Sequence, residues 1–183
     1  MISPEEYMQL KAFARIDGAW LAVLWIGCFA AYVAGLTNPL LQTTALLLVL
    51  STPFFVASRL RKFRNGAREG IISFRRGFAY SLYVFFYGSL LLALAQYVYF
   101  AFIDQGYILS KFTEAVASAE GQQVIKTYGM ADIVKESIDG FAALRPIDFA
   151  LNMLTVNLMA GLMLSLPIAA LTQRKPETGR TSQ

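Results

Sequence analysis

The 183-residue chain contains no histidine and a single cysteine, Cys28. Histidine-based acid–base catalysis, His or Cys metal centres and an internal disulfide are thereby excluded. Charge is scarce as well: 15% of the residues are charged and 56% are hydrophobic, more apolar than a soluble domain requires. No Gly-rich phosphate loop or internal repeat stands out, and the acids show neither metal-ligand spacing nor a neighbouring nucleophile. No cofactor and no enzymatic activity are expected. What the chain has instead is four long runs without charge, Gly18 to Leu36, Thr37 to Ser58, Gly77 to Ile103 and Phe149 to Gln173. Each offers the roughly 20 residues that cross about 30 Å of hydrocarbon. Continuous apolar runs without two-residue alternation fit helices, not a closed barrel. The expected fold is therefore all-α and integral to the membrane. It is one domain over 1–183: a four-transmembrane-helix bundle with spans at 18–36, 37–58, 77–103 and 149–173.

The span boundaries carry their own signals. Thr37-Asn38-Pro39 joins the first two runs with capping side chains and a proline that needs no amide partner, which predicts a tight hairpin. Pro146 and Asp148 open the fourth run in the same way. Pro53 and Pro167 lie inside spans, where each removes a backbone donor. Cys28 follows Ile26-Gly27, but Trp25 fits poorly with a lipoprotein cleavage site, so the first span is expected to be retained.

Orientation follows from the cations. The stretch 59–76 carries Arg59, Arg61, Lys62, Arg64, Arg68, Arg75 and Arg76 against one acid, Glu69, while the 104–146 connection has more acids than bases. Lys11 and Arg15 precede the first span, and Arg174, Lys175 and Arg180 follow the last. The positive-inside rule puts the N-terminal segment 1–17, the basic loop 59–76 and the tail 174–183 in the cytoplasm, with 104–146 outside. The expected location is an inner, cytoplasmic membrane.

Several segments are candidates for function. The seven cations of 59–76 are candidate ligands for anionic lipid headgroups, and without a recognition module they do not point to nucleic acid. Segment 1–17 reads either as an amphipathic surface anchor or as an extension of the first span. Gly27, Ala31 and Gly35 line one helix face at four-residue steps and predict close helix packing, within the chain or in a homodimer. No full charge falls in the middle of a charge-free run, so the intramembrane polar groups are neutral: Thr52, Gln96, Asn152, Thr155 and Asn157. Asp148, Asn152 and Thr155 share a face that descends from the outer boundary. That face is either helix-to-helix glue or the entry of a polar path. In the outer loop, Ile108, Phe112, Val116 and Ala119 form one apolar stripe and Val134, Ile138 and Phe141 another, predicting two or three short amphipathic helices.

The stretch Gly70-Ile71-Ile72-Ser73-Phe74, and the end of span three at Tyr97-Val98-Tyr99-Phe100-Ala101-Phe102-Ile103-Asp104, resemble an uncharacterised bacterial membrane protein family, domain of unknown function 4199. The resemblance extends loosely over most of the chain. Gln105 stands where family members often have proline. The resemblance implies a small bacterial inner-membrane protein, working near lipid-linked sugar enzymes, and carries over no catalytic residue. The leading expectation is a non-enzymatic accessory or scaffold subunit for another membrane component. The alternative is an oligomeric transporter or flippase of a lipid or amphipathic molecule.

Overall fold

The computed structural model describes residues 4–174. Residues 1–3 of the N-terminal segment and the expected tail beyond Arg174 lie outside them. The described chain folds into seven helices: α1 (Pro4–Gly35), α2 (Pro39–Ala67), α3 (Phe74–Phe102), α4 (Tyr107–Ala117), α5 (Ala119–Tyr128), α6 (Ala131–Ala143) and α7 (Pro146–Thr172). Extended pairing among the described residues is limited to one antiparallel bridge, Ile72 with Arg174. Helices α1, α2, α3 and α7 are each long and apolar enough to cross a membrane. Their outward faces remain apolar, as at Val23, Leu47, Phe54, Leu94 and Met163, which suits hydrocarbon and not water.

The helix starts follow the chemistry of their caps. The Asn38 side chain accepts the Leu40 N–H at 3.1 Å, and Pro39 occupies the first turn of α2. Gly35 is required at the hairpin because a β-carbon there would lie 2.6 Å from the Gln42 backbone nitrogen. Asp148 accepts hydrogen bonds from the Arg145 backbone N–H at 3.0 Å and from its guanidinium at 2.9 and 3.0 Å, which fixes the start of α7. Pro53 and Pro167 both sit inside unbroken helices.

Three of the long helices extend past the charge-free runs at their basic end. Helix α1 begins at Pro4, so segment 4–17 continues the first span directly. Helix α2 carries on to Ala67 and α3 starts at Phe74, which shortens the basic loop to a connection at residues 68–73. The physical reason is that the buried faces do not stop at the first charge. On α2, Val56, Leu60 and Phe63 are all buried across the onset of the cationic stretch. The connection turns through Glu69 and Gly70, both with positive φ.

Helix α3 packs against α7 and α1, and α1 packs in turn against α2. Small residues set the closest approaches. A β-carbon on Gly18 would come within 2.7 Å of Tyr87 Cβ and 2.9 Å of the Val84 carbonyl oxygen, and one on Gly161 within 2.5 Å of Phe85 Cβ. Gly27, in contrast, faces open space, and Ala31 is only half-buried. The Gly27–Ala31–Gly35 row therefore does not carry the main contact within the chain; Gly35 alone is tightly packed, at the hairpin. The core joins Leu21, Val56, Leu60, Tyr80, Val84 and Phe85.

Candidate functional site

The most polar part of the interior lies toward the basic end of the long helices. Asp17 belongs to the buried stripe of α1, together with Leu10, Ala14, Leu21, Trp25 and Cys28. Its carboxylate accepts a hydrogen bond from the Tyr80 hydroxyl of α3 and forms an ion pair with Arg59 of α2. One carboxylate thus ties three helices together. The Asp17 side chain is 8% exposed and that of Arg59 24%. A charge so placed is tolerable only because its partners replace the lost water.

Asp17 adjoins the charge-free run that begins at Gly18, yet it stands 14th in the 32-residue α1, so the helix carries this charge well inside its length. Sequence reasoning treated Asp17 as the last residue of the cytoplasmic N-terminal segment 1–17. The signal available was its register: Asp17 falls on the apolar stripe at three- and four-residue steps from Leu10, Ala14 and Leu21.

The seven basic candidates separate into two groups. Arg59 is paired with Asp17, while Arg68 and Arg76 both hold Glu6 of α1, at 2.9 and 2.7 Å. Arg64 donates to the Thr172 carbonyl oxygen at the end of α7 at 2.8 Å and to the Asn65 side chain at 2.9 Å, satisfying an acceptor that the helix leaves unpaired. These four are committed to contacts within the chain, Arg59 between helices and the other three near helix ends. Arg61, Lys62 and Arg75 are exposed and without a partner among the described residues.

Along the interior, Trp25 Nε1 donates to Thr52 Oγ1 at 3.0 Å, a buried link between α1 and α2. Gln96 is buried on α3, as are Ser81 and Ser89, and their side-chain oxygens find no partner among the described residues. The expected polar face of α7 does not point into this interior. Asn152 and Thr155 are exposed, Asp148 is engaged by Arg145, and the Thr155 hydroxyl donates to its own helix at the Leu151 carbonyl oxygen, 2.9 Å away. The three residues therefore line no path between the helices.

At the other end, Asp104 accepts the N–H groups of Gly106 and Ile108, at 3.1 and 3.2 Å, and so sets the start of α4. Gly106 has φ +83, a conformation open to glycine. Phe100 stacks on Phe149 at 4.3 Å, and Phe141 packs against Phe149 at 4.7 Å. A cavity of about 170 Å³ lies beside these rings and Asp104. Helices α4, α5 and α6 follow this end as three amphipathic segments packed on one another. Ser118 caps α5 through the Gly121 N–H at 3.1 Å, and its place between the helices breaks the stripe expected to run on to Ala119. Across all three helices Ile108 alone is buried. Phe112, Val124, Tyr128 and Ile133 stay exposed, by 43, 52, 71 and 60%.

A family model described as protein of unknown function (DUF4199) matches residues 17–174. No curated protein and no solved structure matches the chain.

Proposed function

Because the chain belongs to the DUF4199 family, whose function is unknown, we propose a role from physical features alone: a non-enzymatic accessory subunit that binds another membrane protein. In this reading the four long helices form a transmembrane bundle in a bacterial inner membrane, both termini are cytoplasmic, and α4–α6 stand outside as the docking element. The observation that carries the reading is the set of apolar residues left uncovered on α4–α6. Folded helices with strong apolar faces that bury one side chain between them have little reason to hold their shape alone. Exposed apolar patches of this kind mark interaction sites. The lack of histidine, the burial of Cys28 and the structural use of Asp104 and Asp148 agree with a role that needs no chemistry. The transporter alternative gains no support, since Asn152 and Thr155 are exposed.

Photocrosslinking tests the proposal. A photoreactive residue replaces Val124 or Ile133 in intact membranes, with Leu47 of α2 as the lipid-facing control. The expected result is one discrete protein adduct at 124 and 133 and none at 47, and the adduct should co-purify in fixed stoichiometry. Lipid adducts alone at all three positions would refute the docking role.

A further inference from the structure

The lengths of the long helices locate a boundary that the charges then mark. Measured from the α1–α2 hairpin at about 1.5 Å per residue, 30 Å of hydrocarbon ends close to Arg15 on α1 and Arg59 on α2. Measured from Phe102 on α3, the same depth ends near Leu82, about half a turn from Tyr80. Asp17, Arg59 and Tyr80 are in contact, so three separate measurements meet at one level. Beyond it the helices continue for several turns with a core of their own, including Leu10, Leu60, Phe63 and Ile72.

The unpaired cations gather just beyond this level. Leu60 lies against Gly77, with 3.5 Å between its Cδ2 and a β-carbon built on that glycine, and Phe63 stacks on Tyr80 at 4.8 Å. Arg61 and Lys62, between Leu60 and Phe63, therefore share the level of residues 77–80, and Arg75 lies about 3 Å further along α3. Arg15 is exposed at the same level on α1. Trp20, 56% exposed on α1, sits one to two turns toward the hydrocarbon, a place that suits an interfacial indole. Four cations on three helices thus stand at headgroup depth, while Arg59, Arg64, Arg68 and Arg76 are committed within the chain.

We propose that Arg15, Arg61, Lys62 and Arg75 form a headgroup-binding ring for anionic phospholipids of the inner leaflet, and that the other four cations of 59–76 contribute little to it. The long stems of these side chains lie along the apolar helix surface and deliver their charge to the phosphate layer. The inference rests on the membrane-spanning reading of the four helices and not on the α4–α6 partner.

The test uses the full chain in nanodiscs of equimolar phosphatidylglycerol and phosphatidylcholine, with the lipids that survive stripping by a zwitterionic detergent counted by native mass spectrometry. The parent should retain phosphatidylglycerol preferentially. The triple variant R61Q/K62Q/R75Q should lose that preference by about tenfold or more, a few-fold per cation, with unchanged helicity and thermal midpoint. The variant R68Q/R76Q, which removes the two ion pairs these arginines make with Glu6, should lower the thermal midpoint and keep the preference. An excess of soluble glycerol phosphate should not displace the retained lipid. Full preference in the triple variant, equal loss in R68Q/R76Q, or displacement by glycerol phosphate would each overturn the proposal. Loss of crosslinking at Val124 would leave it untouched.

Discussion

Replacing Gly161 with alanine adds one methyl group at the crossing of α3 and α7. That methyl would sit 2.5 Å from Phe85 Cβ and 2.7 Å from Phe85 Cγ, whereas carbon atoms rest about 3.5–4.0 Å apart. The clashing Cβ is fixed to the α3 backbone, so no rotamer change removes it. The two helices must part by about 1 Å, and overpacking of this kind costs about 1–3 kcal/mol. A contact as short as 2.5 Å puts the cost in the upper half of that range, about 2–3 kcal/mol, and alanine recovers up to about 1 kcal/mol of helix propensity, leaving a net loss of about 1–2 kcal/mol. Gly27→Ala supplies the reference, because its β-carbon meets nothing within 4 Å and only the propensity gain applies. Unfolding of the purified chain in mild detergent, by heat or by titration with a denaturing detergent, should rank Gly161→Ala below the parent and Gly27→Ala level with it or above. Equal stability of the parent and Gly161→Ala would refute the close α3–α7 crossing. A larger loss at Gly27 would move the key small-residue contact to the α1 face and make it intermolecular.

The charge network yields a second prediction. Asp17→Asn strands the Arg59 guanidinium and should destabilise the fold by about 2–4 kcal/mol, allowing for the partial exposure of Arg59. Adding Arg59→Met should restore much of that loss in the same unfolding assay, and no recovery would show that the pair is not coupled. Thr52→Val removes the acceptor of Trp25 Nε1 and should cost roughly 0.6 kcal/mol, the usual size of an interhelical hydrogen bond in lipid. A blue shift of Trp fluorescence should accompany it, and an unchanged spectrum would count against the bond. Gly129 closes α5 at φ +64, so Gly129→Val should cost about 1 kcal/mol or more of local order, read as faster amide exchange in α5 and α6 with α1–α3 unaffected.

The four long helices were legible in the sequence because a run of 20 apolar residues has few other stable outcomes. The hairpin at Asn38-Pro39 and the start at Pro146 were legible because caps and prolines act locally. The helix ends on the basic side were not. A charged residue read alone marks a boundary with water, and both Asp17 and Arg59 were read so. Their neutralisation depends on a contact between residues 42 positions apart, which no local pattern encodes. The division of the basic stretch was hidden for the same reason: Arg68 and Arg76 differ from Arg61 and Arg75 only in reaching Glu6. The row of small residues on α1 was visible, yet the closest approaches use Gly18 and Gly161, because a small residue permits close packing without selecting the helix that takes advantage of it. For the polar face of α7, the spacing of Asp148, Asn152 and Thr155 puts them on one side of a helix, but spacing carries no information on which way that side turns.

The docking surface and the headgroup ring both require α4–α6 and the 59–76 region to lie on opposite sides of a membrane. Cys28 is the only cysteine and is buried, so a Cys28→Ser background makes single-site labelling clean. A cysteine placed at Glu120 or at Asn65, both exposed, is then offered a membrane-impermeant maleimide in intact cells and again after lysis. Labelling at 120 before lysis, with labelling at 65 only after it, is the predicted result. The reverse pattern, or equal labelling of both sites in intact cells, would contradict the membrane arrangement on which the account stands.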